Sequence, residues 1–364
     1  MEDFHIKIER IRHLLNLKQK EAIVLTSQES FAWLTGGRGH INTASETACG
    51  KILVTTSSVI LITNNIECER LKAEEGGHQF DEVLSYYWFE TGAEETALQS
   101  LIDTDHQQMV YEFQWEKELS DLRSLLTPFE MEKYQKLGQD AAVALEETCK
   151  TLKKGMTEWE VAAELAINCM RVGIDPVVNL VATDERVYAY RHPLPTGKPI
   201  NEYVLVALGA RRHGLVVSLT RLVHFGRVSR ELKRKLDAVA AVDAAFMVNT
   251  RPGTELSSVF LKGRKEYEIQ GFADEWRNHH QGGLTGYRSR EQRVTGESIG
   301  FVKDNQAYAW NPSIAGVKSE DTIIVRQSGF EIITRTGNFP ENPIIVNGHK
   351  ILRPAILERV PIQI

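Results

Sequence analysis

The 364-residue chain holds four cysteines, none in a C-x-x-C pair, so it offers neither a disulfide scaffold nor a thiolate metal cluster. Cys49, Cys68, Cys149 and Cys169 are expected as free thiols of a reducing compartment, and the chain as a cytoplasmic one. Long apolar runs are also missing: no stretch approaches eighteen consecutive apolar residues, so no membrane partner is expected. Basic runs are equally scarce. With 43 Lys and Arg against 49 Asp and Glu, the formal net charge is −6, and nucleic acid is not an expected partner. The opening stretch Met1–Leu15 is charged throughout and lacks the apolar core of a secretory signal.

What remains is an ordinary globular composition, 42% hydrophobic and 25% charged, in a chain long enough for two domains. Residues 1–126 read as an α/β unit. Ile8, Ile11 and Leu15 share one helical face, and strands are expected at Ala22–Leu25, Lys51–Thr55, Val59–Thr63 and Val110–Tyr111. Helices are expected at Glu67–Ala73 and Glu94–Leu101. No catalytic spacing of His, Asp and Glu occurs in this half, which reads as a supporting or dimerising domain.

Residues 127–364 form the second expected domain. Thr127, Pro128 and Glu130 carry the signature of a helix start, and the period of Tyr134, Leu137, Ala141, Leu145 and Cys149 continues that helix to Gly155. Thr157 and Glu160 open a second helix to about Arg171, and strands follow at Val177–Ala182 and through Tyr203–Phe225. The pattern then recurs. Ser229 caps a long helix ended by Arg251-Pro252-Gly253, Thr254 opens a shorter one to Gly271, and strands follow at Gln306–Trp310, Thr322–Val325 and Glu331–Thr334. Lys154-Gly155-Met156-Thr157-Glu158 and Arg251-Pro252-Gly253-Thr254-Glu255 sit at matching joints of these two units, which predicts an internal duplication.

Four segments carry a further pattern. The strand pair Tyr203–Arg221 places Val206, Gly209, Ala210, Gly214, Thr220 and Arg221 in register with V-D-x-G-A…G-Y-x-S-D-x-T-R. Asn278-His279-His280-Gln281-Gly282-Gly283 resembles G-H-G-x-G, Ala309-Trp310-Asn311-Pro312 stands where E-P-G belongs, and Gly316-Val317-Lys318-Ser319-Glu320-Asp321 matches G-V-R-x-E-D. Together they resemble the pita-bread metallopeptidases: methionine and Xaa-Pro aminopeptidases, prolidases and creatinase. The resemblance implies an α/β fold, a creatinase-like N-terminal α/β domain followed by a pita-bread domain of duplicated ααββ halves around one cleft. It also implies a homodimer.

In that family, two aspartates, a histidine and two glutamates hold two divalent ions. Here those positions carry Ala207, Ser218, His280 (with His279 as its rival), Asn311 and Glu320. One imidazole and one carboxylate cannot neutralise two dications, so neither metal nor other cofactor is expected. Glu291, Glu297 and Asp321 are the nearby acids that would have to rescue a metal site, and none has the required spacing. His192, in Arg191-His192-Pro193-Leu194-Pro195-Thr196, matches the family histidine ahead of the strand pair and is the expected general acid/base. His280 and Glu320 complete the expected catalytic set, with Ser218, Asn311, Arg221, His279 and Glu291 as the substrate-binding set.

The expected function is metal-independent hydrolysis of a C–N bond in a small polar or dipeptide-like substrate, by analogy with creatinase. The alternatives are a metal-dependent Xaa-Pro aminopeptidase or dipeptidase, against which the ligand losses count, and a non-catalytic binding or regulatory protein on the same scaffold.

Overall fold

The apolar spacing of Ile8, Ile11 and Leu15 builds helix α1 (Glu2–Leu17), all three side chains being buried. A computed structural model describes residues 2–101 and 108–359; residues 360–364 of the expected second domain lie outside that range. The chain divides into two compact units, Met1–Phe129 and Glu130–Ile364.

The first unit continues through β1 (Ala22–Ser27), α2 (Gln28–Thr35), β2 (Thr47–Thr55), β3 (Val59–Asn64), α3 (Cys68–Glu74), β4 (Glu82–Tyr86), α4 (Ala93–Ser100), β5 (Met109–Tyr111) and α5 (Glu116–Arg123). Its five strands form one sheet in the order β4-β3-β2-β1-β5. The β1 run Ala22–Leu25 is fully buried, as expected of a central strand covered on both faces. Helix α2 was not anticipated from the sequence. It is short, and Ser27 caps it by accepting a hydrogen bond from the Ser30 amide.

The second unit opens with α6 (Pro128–Thr151) and α7 (Glu158–Met170), followed by β6 (Asp175–Thr183), α8 (Glu185–Ala189), β7 (Tyr203–Arg212) and β8 (Leu215–His224). Thr157 and Glu160 form a reciprocal capping box at the start of α7. The second half repeats this order with α9 (Arg230–Asn249), α10 (Leu256–Ile269), β9 (Gly282–Thr285), β10 (Gln292–Arg293), β11 (Ala307–Trp310), β12 (Ser313–Ile314), β13 (Val317–Lys318), β14 (Asp321–Arg326) and β15 (Gly329–Ile332). Three further strands, β16 (Glu341–Val346), β17 (His349–Pro354) and β18 (Ile356–Glu358), end the described chain, and β18 runs parallel to β8. Ser229 caps α9 as expected, whereas the cap of α10 is Glu255, one residue beyond Thr254.

The duplication extends to individual hydrogen bonds. At the first joint Gly155 N–H donates to Ile200 O and Ile200 N–H to Met156 O; at the second, Gly253 donates to Val302 O and Val302 to Thr254 O. One isolated bridge accompanies each, Thr157 with Pro199 and Glu255 with Phe301. Antiparallel β6-β7-β8 in one half corresponds to antiparallel β9-β11-β14 in the other.

The two half-sheets meet along β8 and β14. Thr220 N–H donates to Glu320 O, and Ser218 N–H donates to Thr322 Oγ1, which in turn donates to Ser218 O. Behind this seam lies an apolar core in which Phe246 of α9 stacks on Trp310 of β11, centroids 4.5 Å apart. A β-carbon on Gly263 of α10 would come within 2.2 Å of the Phe246 ring, so only glycine lets the helices close on that stack. Among the described residues no helix is long and apolar enough to cross a membrane. All four cysteines are free, and burial pushes the thiols of Cys149 and Cys169 up to about 12.

Candidate active site

His192 reaches the site on a loop between α8 and β7 that carries little regular structure of its own. Buried Glu158 holds that loop: its Oε2 accepts from the Thr196 amide at 2.9 Å, from Thr196 Oγ1 at 2.7 Å and from Arg186. Its Oε1 accepts from the Thr183 amide at 2.9 Å. Burial would raise this carboxyl, and the hydrogen bonds from Arg186, Thr196 and Thr183 outweigh it and hold the group below its ordinary value. Arg191 then pairs with Glu275 at 2.7 Å, fastening the loop to the turn that precedes His279.

His279 and His280 precede a strand whose geometry only glycine allows. Gly282 and Gly283 adopt φ of +103° and +147°, and β-carbons there would lie 2.1 Å from Ala309 O and 2.2 Å from Gln292 O. Gln281 secures the turn, its Nε2 donating to His279 O at 2.6 Å and to Trp276 O at 3.1 Å, while Tyr267 OH donates to its Oε1. The three imidazoles therefore converge. His192 Nε2 lies 2.9 Å from His279 Nε2, and the His279 and His280 rings stack with centroids 4.4 Å apart. His192 is exposed, His280 half-buried and His279 buried. Between His279 and His280, it is His279 that hydrogen-bonds His192.

Burial, reinforced by the charge of Lys318, takes the His279 imidazole down to about 2. Burial with Arg290, Arg293 and Lys318 takes His280 to about 4. His192 is lowered too, by desolvation and Lys318, with Glu320 acting the other way. All three are thus neutral near pH 7.

Glu320 stands at the end of the β13–β14 connection, 5% exposed. Its Oε2 accepts from Thr220 Oγ1 at 2.6 Å and from Lys318 Nζ at 2.8 Å, and its Oε1 from Arg290 Nη2 at 3.4 Å. Burial alone would raise this carboxyl; the charges of Lys318 and Arg290 and the hydrogen bonds from Lys318 and Thr220 overcome it, down to about 2. Arg290 also donates through Nη1 to Ser218 Oγ at 3.2 Å. Asn311 joins the histidine turn by donating its amide to Gln281 O, and its side-chain oxygen is buried without a hydrogen-bond partner.

Arg221 is not brought here, which corrects its assignment to the substrate-binding set. Side chains alternate along β8, so Ser218 and Thr220 face Arg290 and Glu320 while Arg221 faces the opposite way. There its guanidinium is buried against Glu146, Asp321 and Thr334 O. Asp321 is held by Arg221, Arg353 and Thr334, Arg353 in turn pairing with Asp243. Asp321 is therefore committed to that network, and Glu297 is exposed on a turn. Glu291 lies beside Gly286. The sequence reading passed over Arg290 as a site residue. It sits on a loop, and the Ser218 and Glu320 partners that give it meaning lie 72 and 30 residues away.

A dinuclear metal centre does not fit these residues. Ala207 is packed into the apolar core, Ser218 and Asn311 are neutral, and the retained carboxylate already serves two cations. The ligating nitrogens of the three histidines lie within 4.8 Å of one another, enough ligands for one ion. The charges of Lys318, Arg290 and Arg293 act on these same imidazoles, and they oppose a dication there.

The sequence model of metallopeptidase family M24 (Peptidase_M24) matches residues 132–327. An uncharacterized peptidase of Staphylococcus epidermidis is 23% identical over 363 residues, covering 90% of this chain and 99% of its own. Among solved structures, the Xaa-Pro dipeptidase from Bacillus anthracis superposes with a TM-score of 0.74 at 21% identity, covering 94% of this chain and 100% of its own. The X-Pro aminopeptidase from Thermotoga maritima gives 0.76 at 17% identity, covering 96% and 99%. The fold is that of these enzymes, an α/β chain with a pita-bread domain.

Proposed function

The chain belongs to metallopeptidase family M24, and we propose that within it this is a metal-independent hydrolase of a C–N bond in a small polar or dipeptide-like substrate. The observation that carries this reading is the contact between an exposed and a buried imidazole. His192 is exposed to an incoming molecule, and behind it His279, buried and neutral, bonds to its ring at 2.9 Å. A neutral imidazole so placed takes a proton from water and returns it to the leaving nitrogen, a task that needs no Lewis acid. His280 and Glu320 orient the substrate, while Ser218 and Asn311 offer neutral hydrogen-bonding groups in place of carboxylates.

The degenerate ligand set supports metal independence: of the five family ligand positions only His280 and Glu320 keep a ligating side chain. We place the protein in the cytoplasm on its free thiols, and take it to be a homodimer by likeness to the family. The test pairs elemental analysis of the purified full chain with a dipeptide and N-acyl amino acid hydrolysis screen, run with and without a chelator. The expected result is less than stoichiometric divalent metal and turnover indifferent to chelation. About one or more tightly held Mn, Co or Zn per chain, with activity lost on chelation and restored by metal, would overturn the reading.

A further inference from the structure

Arg290 stands between two positions that would otherwise hold metal. Its Nη1 donates to Ser218 Oγ at 3.2 Å and its Nη2 to Glu320 Oε1 at 3.4 Å. Ser218 occupies the position of the family pattern's second aspartate, and Glu320 that of its last glutamate. A guanidinium touching both fills the space on which those carboxylates would converge. On the other side of Glu320, Lys318 Nζ lies 2.8 Å from Oε2. Both cations belong to the chain; Lys318 is buried, 8% exposed, and Arg290 half-buried.

Donor capacity is left over. The Arg290 Nε–H is a buried donor without a hydrogen-bond partner, and the Nδ1 atoms of His279 and His280, donors in one tautomer, are likewise unpartnered. Buried polar atoms of this kind are few in native proteins, and each calls for a partner from outside the protein or a role in the chemistry. Among the directly bonded groups one carboxylate faces two cations, so the cluster is one positive charge in excess.

We propose that Arg290 and Lys318 stand in for the metal pair, and that the site they form beside the three histidines binds the carboxylate of an anionic substrate. Arg290 offers a planar fork suited to a carboxylate, and the neutral imidazoles add hydrogen-bond donors without adding charge. That the anion is a substrate rests on the hydrolase reading above; the binding itself does not. Two outcomes separate them, since a protein that binds the anion and turns nothing over leaves this inference standing while the hydrolase reading falls.

The test is calorimetric titration of the chelator-treated full chain with N-acetylglycine and with its neutral amide. The acid should bind at least about tenfold more tightly than the amide, the difference expected for one charge-assisted hydrogen bond. Arg290→Met should erase that preference and Arg290→Lys retain part of it, with circular dichroism and urea midpoints reporting that each variant folds. A second arm restores the ligands with Ala207→Asp, Ser218→Asp and Asn311→Glu. Mn2+ should bind that triple variant only when Arg290→Met is added. Equal affinity for acid and amide, unchanged binding in Arg290→Met, or tight Mn2+ binding by the triple variant with Arg290 in place would each overturn the proposal.

Discussion

Replacing Glu320 by glutamine keeps the shape of the side chain and removes its charge, and the cost is calculable from its surroundings. The carboxyl falls from an ordinary 4.5 to about 2 because Lys318, Arg290 and Thr220 outweigh the penalty of burial. At about 1.4 kcal/mol per pH unit, that distance is worth roughly 3 kcal/mol of folding stability. The folded-state value lies below the unfolded one, so this stability is fully present above about pH 4.5 and disappears as pH falls toward 2. Glu320→Gln should therefore be about 3 kcal/mol less stable than wild type at pH 7. The gap should narrow steadily between pH 4.5 and pH 3. Urea unfolding at pH 7, 5, 4 and 3 with both proteins measures it directly. His280 also destabilises the fold in acid, since it stays neutral when folded, but it is common to the two proteins and cancels in the difference, whereas the pull of the Glu320 charge on His192 and His279 is part of the measured gap. A gap that stays constant from pH 7 to pH 3, or one below about 1 kcal/mol at pH 7, would refute the assignment of Glu320 as the counter-ion of two cations.

Once a substrate is in hand, His192→Ala should lower kcat by roughly a hundred- to ten-thousand-fold while leaving the urea midpoint unchanged, the range typical of general acid/base assistance. If His280→Ala shows that loss and His192→Ala does not, the proton carrier is the other imidazole. Arg353→Met leaves Asp243 and Asp321 buried with one cation fewer, and it should cost about 3–5 kcal/mol at pH 7 in denaturant unfolding. Burial already lifts the Asp243 carboxyl to about 6. Arg353 is one of the groups that hold it down, so its loss lifts the carboxyl further; part of the Arg353→Met loss should accordingly return as pH drops toward 6, and its absence would show that the network does not hold these charges together.

The scaffold was legible because its signals are local. The Thr157 and Glu160 capping box, the Ser229 cap and the glycine joints at Gly155 and Gly253 each dictate structure within a few residues of themselves. Helix α2 was missed because it is eight residues long and its buried face, Phe31 to Leu34, reads equally well as an apolar strand. Motifs single out the three histidines, yet their mutual contact joins two distant loops that the Arg191–Glu275 pair also links, and no local pattern announces that. Arg221 was misplaced for a reason the sequence did contain. The strand period of two that puts Ser218 and Thr220 on one face of β8 puts Arg221 on the other. Arg290 carries no such local signal, and only the closure of the two half-sheets gives it partners.

Glu320 on its own admits two explanations, a ligand left behind when the others were replaced or a counter-ion with work of its own. Its bonding separates them. A carboxylate left over from a metal site would keep at least one oxygen turned toward the vacated space, where three neutral residues, Ala207, Ser218 and Asn311, have replaced charged ones. Both oxygens of Glu320 are instead taken up by Thr220, Lys318 and Arg290 within 3.4 Å. Four carboxylates around two dications balance to zero; one carboxylate against a lysine and an arginine leaves a single positive charge. The exchange therefore replaces one charge arrangement with another, and it requires Glu320 to stay, because without it Lys318 and Arg290 would face each other with no counter-ion between them. An incoming carboxylate would restore neutrality, which a dication could not do.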